Sequence, residues 1–348
     1  MKNAPLLNFA LAVFLALSIG WLLYAGRAII LPLVGAVIAV YIIISATDGL
    51  KRLPGFRHVS DVWLRLAILA IFSIPFLFLV VLASATVREI AEVAPIYEAN
   101  LDLLIDRAAA KYSLDKENIW NELRAVTIES FDLRLILLKV LSGFTNMSTS
   151  FLLIVIYAAF LLGERKAFKS KVLGAFPTVE EGQKTLDLMN EINTRVGYYL
   201  VTKTLINVLL AVVSFVILKL FGIDFAFFWA VVIGLLNYIP YIGSYLGVAF
   251  PVILSLAQFV SIPLTISLGV CLGVVQFVVG NIVEPRVIGH RVDLSPTVVL
   301  VALSFWAALW GIPGAILAVP MTSVLAIIFS SFQGTQFIGR LLADKIAK

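Results

Sequence analysis

Apolar residues run almost unbroken along this chain in stretches close to the ~20 residues a helix needs to cross a bilayer. Toward the N-terminus they cover 6–25, 28–46 and 64–86, and 147–162 follows a polar interval. The C-terminal half holds 204–221, 225–236, 241–259, 264–283, 296–310 and 315–332. Helices apolar on every side belong in lipid or in a core, so the pattern predicts an all-α, polytopic membrane protein of about eight transmembrane helices. Only Gly26-Arg27 separates the first two stretches, which predicts an antiparallel hairpin, and Pro75 predicts a kink in the third. The first stretch is too long and too uniformly apolar for a signal peptide and reads as a retained span.

Two intervals change character. Residues 87–146 are charged, with Ile119, Trp120, Leu123 and Val126 on one helical face and Ser113 or Asp115 placed to cap it. They predict a small helical extracytoplasmic domain. Residues 164–203 carry Thr178 and Glu181 in capping-box spacing, then Leu186, Met189, Ile192 and Val196 at helical spacing. That helix is expected to lie on the membrane or on a neighbouring subunit. Residues 88–139 hold 10 acidic and 7 basic side chains, whereas 48–65 holds 4 basic against 2 acidic and 164–203 holds 7 against 5. Cytoplasmic loops are the basic ones, so both termini are expected in the cytoplasm. The organisation that follows is 1–86, N-terminal helices; 87–146, the outer domain; 147–163, a fourth span; 164–203, a cytoplasmic amphipathic loop; and 204–348, a C-terminal core.

That core repeats a pattern: a span, then an apolar hairpin with Ile-Pro at its tip. The breaks fall at Asn237-Tyr238-Ile239-Pro240 and at Gly311-Ile312-Pro313-Gly314. Parity makes the two units an inverted repeat whether the hairpins cross fully or are re-entrant, and the expectation is that their tips approach near the midplane. Polar side chains cluster beside these breaks. Glu284 is a candidate coupling carboxylate, or else half of an ion pair with Arg286 or Arg291. Gln276 and Asn281, five residues apart, point about 140° away from one another on a regular helix and serve a solute or bond between helices. Asn237 offers its amide to a solute or caps the following turn. Lys219 is placed to snorkel, Asp224 to be solvated, and the pairs Gly243/Gly247 and Gly269/Gly273 to permit close helix packing.

Composition agrees: 61% of residues are hydrophobic and 14% charged, against about 45–50% and about 25% in soluble domains. The net charge of +5 is spread over loops, which fits membrane orientation and gives no nucleic-acid footprint. Cys271 is the single cysteine, His58 and His290 lie far apart in sequence, and neither a zinc motif nor a phosphate-binding loop is present. No cofactor, metal site or catalytic constellation is expected, and transport energy would come from an ion gradient, a solute gradient or another chain.

Asn237-Tyr-Ile-Pro-Tyr-Ile-Gly243, Gln276 with Asn281-Ile-Val-Glu-Pro-Arg286, the run from Leu294 and Gly311-Ile-Pro-Gly-Ala-Ile-Leu-Ala-Val-Pro320 together resemble the autoinducer-2 exporter family of bacterial membrane proteins. The resemblance implies a permease of the bacterial inner membrane, a homo-oligomer, pentameric, with an elevator-like moving part. It also implies export of autoinducer-2 by some members and likeness of others to sodium/proton antiporters. Ser244 departs from the pattern, since Pro often follows the Gly there. Three readings stay open. An exporter of a small polar solute would use Asn237, Gln276, Asn281 and the backbone near Pro240 and Pro313. A sodium/proton antiporter would use Glu284. A membrane scaffold that transports nothing would leave the buried polar groups unexplained.

Overall fold

Residues 4–112, 133–288 and 294–344 are described by a computed structural model, and every regular element among them is helical. In chain order these are α1 (Ala4–Ala25), α2 (Arg27–Leu50), a short 3-10 turn (Pro54–Phe56), α3 (Asp61–Tyr112), α4 (Leu133–Ala175), α5 (Val179–Leu220), α6 (Ala226–Leu236) and α7 (Ile242–Phe259). Then follow α8 (Ile262–Val278), a π turn (Val279–Val283), α9 (Glu284–Ile288), α10 (Pro296–Ser331) and α11 (Gln336–Leu342). Five helical stretches among the described residues are long and apolar enough to cross a membrane: Arg27–Leu50, Val179–Leu220, Ile242–Phe259, Ile262–Ile288 and Pro296–Ser331. The molecule is an all-α, multi-pass membrane protein. The outer helix expected around Ile119 to Val126, with its caps, lies outside the described residues, as do His290 and Arg291.

The expected hairpin at Gly26 gives way. Helical main-chain bonds run on both sides of Gly26, from its N–H to Leu22 O (2.8 Å) and from Ile30 N–H to Gly26 O (2.9 Å). Phe9, Leu11, Phe14 and Leu17 of α1 are all exposed. The chain therefore bends at Gly26 without forming an antiparallel pair, because one residue keeping near-helical geometry does not reverse a helix. The expected borders at 86/87, 163/164 and 203/204 fall inside α3, α4 and α5. A change from apolar to charged composition does not by itself end a helix, and α4 runs on even through Gly163 at one of these borders.

The chain divides into two compact units. The first comprises Met1–Leu69, Ser150–Val201 and His290–Lys348. In it Ala36, Val40 and Ile44 of α2 pack on Ala158 of α4. The start of α5 obeys the predicted cap, with Glu181 N–H donating to Thr178 Oγ1 at 3.3 Å. Leu186, Ile192 and Val196 are buried and Met189 is half-buried, so the chain itself covers much of this face. Gly197 admits the backbone of Tyr41 to within 3.0 Å of where a Cβ would sit.

The loop between α2 and α3 is clipped by Asp61, which accepts from Lys51 and, at 3.2 Å, from Arg65. The Lys51 hydrogen bond holds the Asp61 carboxyl below the usual carboxylate range. A lowered carboxylate stabilises the folded form above its unfolded pKa of about 3.9, and this is lost as pH falls through the folded value. Limited proteolysis of 52–60 is expected to quicken on acidification below about pH 4, whereas Asp61→Asn is cleaved at one pH-independent rate.

α10 in the same unit is two arms. Trp306 Nε1 donates to Thr322 Oγ1 at 3.1 Å, although 16 residues of straight helix would hold them about 24 Å apart. The fold-back is at Gly311, whose φ of 66° and ψ of −143° suit glycine. The predicted hairpin around Pro313 is thus present.

The second unit comprises Ala70–Thr149 and Thr202–Gly289. α5 ends in a Schellman cap, Ile223 N–H to Leu218 O (2.9 Å) and Gly222 N–H to Lys219 O (3.1 Å), with Gly222 at φ 70°. α6 and α7 then form the first hairpin. Asp224, expected to be solvated, accepts from the Tyr97 hydroxyl at 2.7 Å, and Asn100 donates to Ala257 O at 2.9 Å. Burial foremost, then the hydrogen bond to Asp224 and its charge, raise the Tyr97 phenol above its ordinary range. The far end of α3 is in this way tied to the ends of α5 and α7.

Candidate functional site

α5 presents Lys203 and Asn207 one turn apart on a buried face. Gly234 lets α6 close on that face, since a Cβ there would lie 2.9 Å from Asn207 O. The first hairpin tip follows at once, and it is tight. Ile242 N–H bonds Pro240 O at 2.7 Å around Tyr241, a γ-turn with Tyr241 at φ 60°, ψ −65°. A side-chain-bearing residue held there costs about 1–3 kcal/mol, strain of the kind that collects at functional positions.

The tip places Asn237 at the middle of a buried amide chain. Asn237 Nδ2 donates to Asn207 Oδ1 at 2.8 Å, and Asn237 Oδ1 accepts from Gln276 Nε2 at 3.1 Å and from Ser244 Oγ at 3.2 Å. Asn237 stands at the C-cap of α6, where its backbone N–H bonds Ile233 O, while its side chain joins this network. Ser244, the departure from the family pattern, supplies one of its donors. Buried at the two ends, Asn207 Nδ2 and Gln276 Oε1 have no hydrogen-bond partner among the described residues. Three primary amides in series spend two donors and two acceptors on their two links. Turning all three over exchanges the ends but still leaves one spare donor and one spare acceptor. A buried polar group without a partner costs about 1–3 kcal/mol, so each of the two ends calls for an explanation.

A charge pair accompanies the amides. Lys203 Nζ donates to Glu284 Oε1 at 2.6 Å, with the Lys203 side chain 4% and the Glu284 side chain 24% exposed. Glu284 therefore pairs with a residue 81 positions away and not with Arg286, which is exposed. The π turn between Gln276 and Glu284 makes this possible. Eight steps of regular helix would set the two residues about 80° apart, and the extra residue taken up by a π turn reduces this to about 20°. Beside Lys203, Thr204 Oγ1 and the Tyr238 hydroxyl share a 2.6 Å hydrogen bond.

Of the residues predicted from sequence, Asn237 and Gln276 join directly, and Glu284 lies on their seam. Asn281, expected on the pathway with Gln276, is exposed and spends its amide on Phe277 O at 3.1 Å. Pro240 shapes the tip, and Pro313 shapes the other hairpin, in the first unit. A cavity of about 250 Å³ in that unit, bounded by Glu191, Arg195, Ser323 and Ser330 among others, touches none of the predicted residues. Among the described residues no group of acidic, His or Cys side chains could hold a metal ion. Lys203 and Asn207 escaped the sequence reading, although their i, i+4 spacing at the head of an apolar run was a usable signal.

Comparison with known proteins gives a consistent result. The family model described as "AI-2E family transporter" matches residues 9–334. A "Putative transport protein" of Haemophilus influenzae is 31% identical over 81% of this chain and 82% of its own length. A protein of the same description from Borreliella burgdorferi is 32% identical over 67% of this chain, and the match spans 63% of that relative. "AI-2 transport protein TqsA" of Escherichia coli K12 is 33% identical over 60% of each chain.

Proposed function

Since the chain belongs to the AI-2E family of membrane transporters, we propose that it carries a small, uncharged, hydroxyl-rich solute, bound at the Asn207–Asn237–Gln276 amide chain. The observation that carries this is the buried, unspent pair at its ends, one donor and one acceptor. A solute hydroxyl accepts from the first and donates to the second, and a polyol satisfies both without bringing charge into a low-dielectric seam. The relative whose printed name is an AI-2 transport protein makes autoinducer-2, a polyhydroxylated furanone, the first solute to test. Export from the cytoplasm of a bacterium, through an elevator-like movement of a homo-oligomer in the inner membrane, with both termini inside, completes the reading. A sodium/proton antiporter built on Glu284 is the alternative that the Lys203–Glu284 pair favours.

Proteoliposomes loaded with labelled autoinducer-2 or a small polyol test the proposal. Wild type is expected to release the label saturably, and Asn237→Leu, which strips partners from both neighbouring amides, to slow release at least tenfold. Equal efflux from both proteins would remove the amide chain from the pathway.

A further inference from the structure

The apolar seam between α2 and α4, in the first unit, ends in charge. Ala36, Val40 and Ile44 of α2 meet Ala158 and Leu162 of α4 along it. One further turn on the same face of each helix carries Asp48 and Arg165. Asp61 and Arg65 come to the same place from the start of α3. Partial burial and the Arg65 charge act against the Arg165 cation, and Asp48 and Asp61 act for it. Asp61 is already spent on Lys51 and Arg65, and among the described residues no carboxylate lies within ion-pair distance of Arg165. Arg65 gives one nitrogen to Asp61 while its Nε has no hydrogen-bond partner among the described residues. Lys51, Arg65 and Arg165 thus share Asp48 and Asp61, and one positive charge is left over. Two guanidinium groups held within reach of one another repel, and an anion between them removes the conflict.

The place of the cluster says which anion. The apolar stretches 28–46 and 147–162 stop just short of Asp48 and Arg165, and 64–86 begins beside Arg65. Around the cluster Leu53, Val62 and Trp63 are exposed. An exposed Trp and arginines at the end of apolar spans belong to the layer where lipid meets water, the level of the headgroups.

We infer that Arg65 and Arg165 together bind the phosphodiester of an anionic membrane lipid. A planar guanidinium matches phosphate oxygens two at a time, and it keeps its charge under all ordinary conditions. Lys51 and Asp61 hold Arg65 in place, so the site is built before the lipid arrives. A headgroup of one negative charge, such as phosphatidylglycerol, cancels the surplus left by three cations and two carboxylates. Phosphatidylcholine offers the same phosphodiester but brings a cation of its own into the cluster. Free phosphate offers the oxygens without acyl chains to lie along the exposed side chains of Val62 and Trp63. A lipid seated there would tie the ends of α2 and α4 to the start of α3 from outside the protein.

Native mass spectrometry of the purified full-length protein, titrated with phosphatidylglycerol or phosphatidylcholine of identical acyl chains, tests the inference. Wild type is expected to hold phosphatidylglycerol about tenfold more tightly than phosphatidylcholine. Arg165→Gln is expected to abolish that preference. Arg57→Gln removes an exposed arginine of the same loop whose charge does not act on Asp61, and is expected to leave the preference intact. Inorganic phosphate in about hundredfold excess over lipid is expected to displace none of it. Equal retention of the two lipids by wild type, an unchanged preference in Arg165→Gln, or an equal loss in Arg57→Gln would each overturn the inference. Displacement by inorganic phosphate would overturn the lipid assignment in favour of a soluble anion. The wild-type comparison decides the matter even if Arg165→Gln fails to fold.

Discussion

Replacing Gly243 with alanine is expected to prevent the first hairpin from forming, while the same change at Gly273 leaves the protein as stable as before or slightly more so. Both glycines belong to a small-x-x-x-small pattern, and sequence treats them alike. The structure separates them by what a Cβ would meet. At Gly243 it would lie 1.7 Å from Leu236 O, a backbone atom that cannot move without opening the tip; at Gly273 nothing lies within 4 Å. A fixed overlap of that size exceeds ordinary overpacking, and a loss of more than about 4 kcal/mol is expected. Alanine at an open helical site gains about 0.5–1 kcal/mol over glycine. Gly314 repeats the strained case at the second tip, 2.0 Å from Trp306 O. Thermal unfolding in detergent, with recovery of monodisperse protein, checks both. A well-folded Gly243→Ala protein would mean that the chain does not reverse as tightly as described.

Breaking the ion pair is the second large effect. Glu284→Met leaves the Lys203 ammonium buried and alone, and a cost of about 3–5 kcal/mol is expected. Lys203→Met leaves Glu284 unpaired but partly exposed, so water screens it and the loss is smaller, about 1–3 kcal/mol. The double variant is expected to recover most of the stability, because two apolar side chains of similar volume carry no desolvation penalty. A double-mutant cycle measured by thermal unfolding therefore shows strong coupling. Additive losses would mean that the two groups do not share one site.

The hairpins could be read from the chain because Pro and Gly interrupt apolar runs, and no neighbour is needed to know that a helix stops there. The angular offset between Gln276 and Asn281 was readable as rotation about one helix axis, yet both were expected on the pathway, and only Gln276 is buried. Glu284's partner was not readable. Sequence proximity suggested Arg286 or Arg291, whereas the pairing is made by α5 lying beside α9, a tertiary fact without a local signature. Asn207 was lost inside an apolar run, where one amide looks incidental until Asn237 and Gln276 converge on it. The π turn left no mark either, since Val279-Gly-Asn-Ile-Val283 would serve an ordinary helix. The bend at Gly26 misled in the other direction. A glycine-arginine pair between two apolar runs suggests a reversal, yet the backbone there keeps helical hydrogen bonds.

The most direct test of the central claim, that the spare ends of the amide chain hold a solute hydroxyl, is calorimetric binding of autoinducer-2 or a small polyol to the purified protein. Asn207→Leu removes the spare donor, Gln276→Leu the spare acceptor, and Asn281→Ala an amide already spent at the surface. The account predicts a loss of at least tenfold in affinity, about 1.4 kcal/mol, for each of the first two and none for the third. Equal affinity in all four proteins, wild type included, would contradict it.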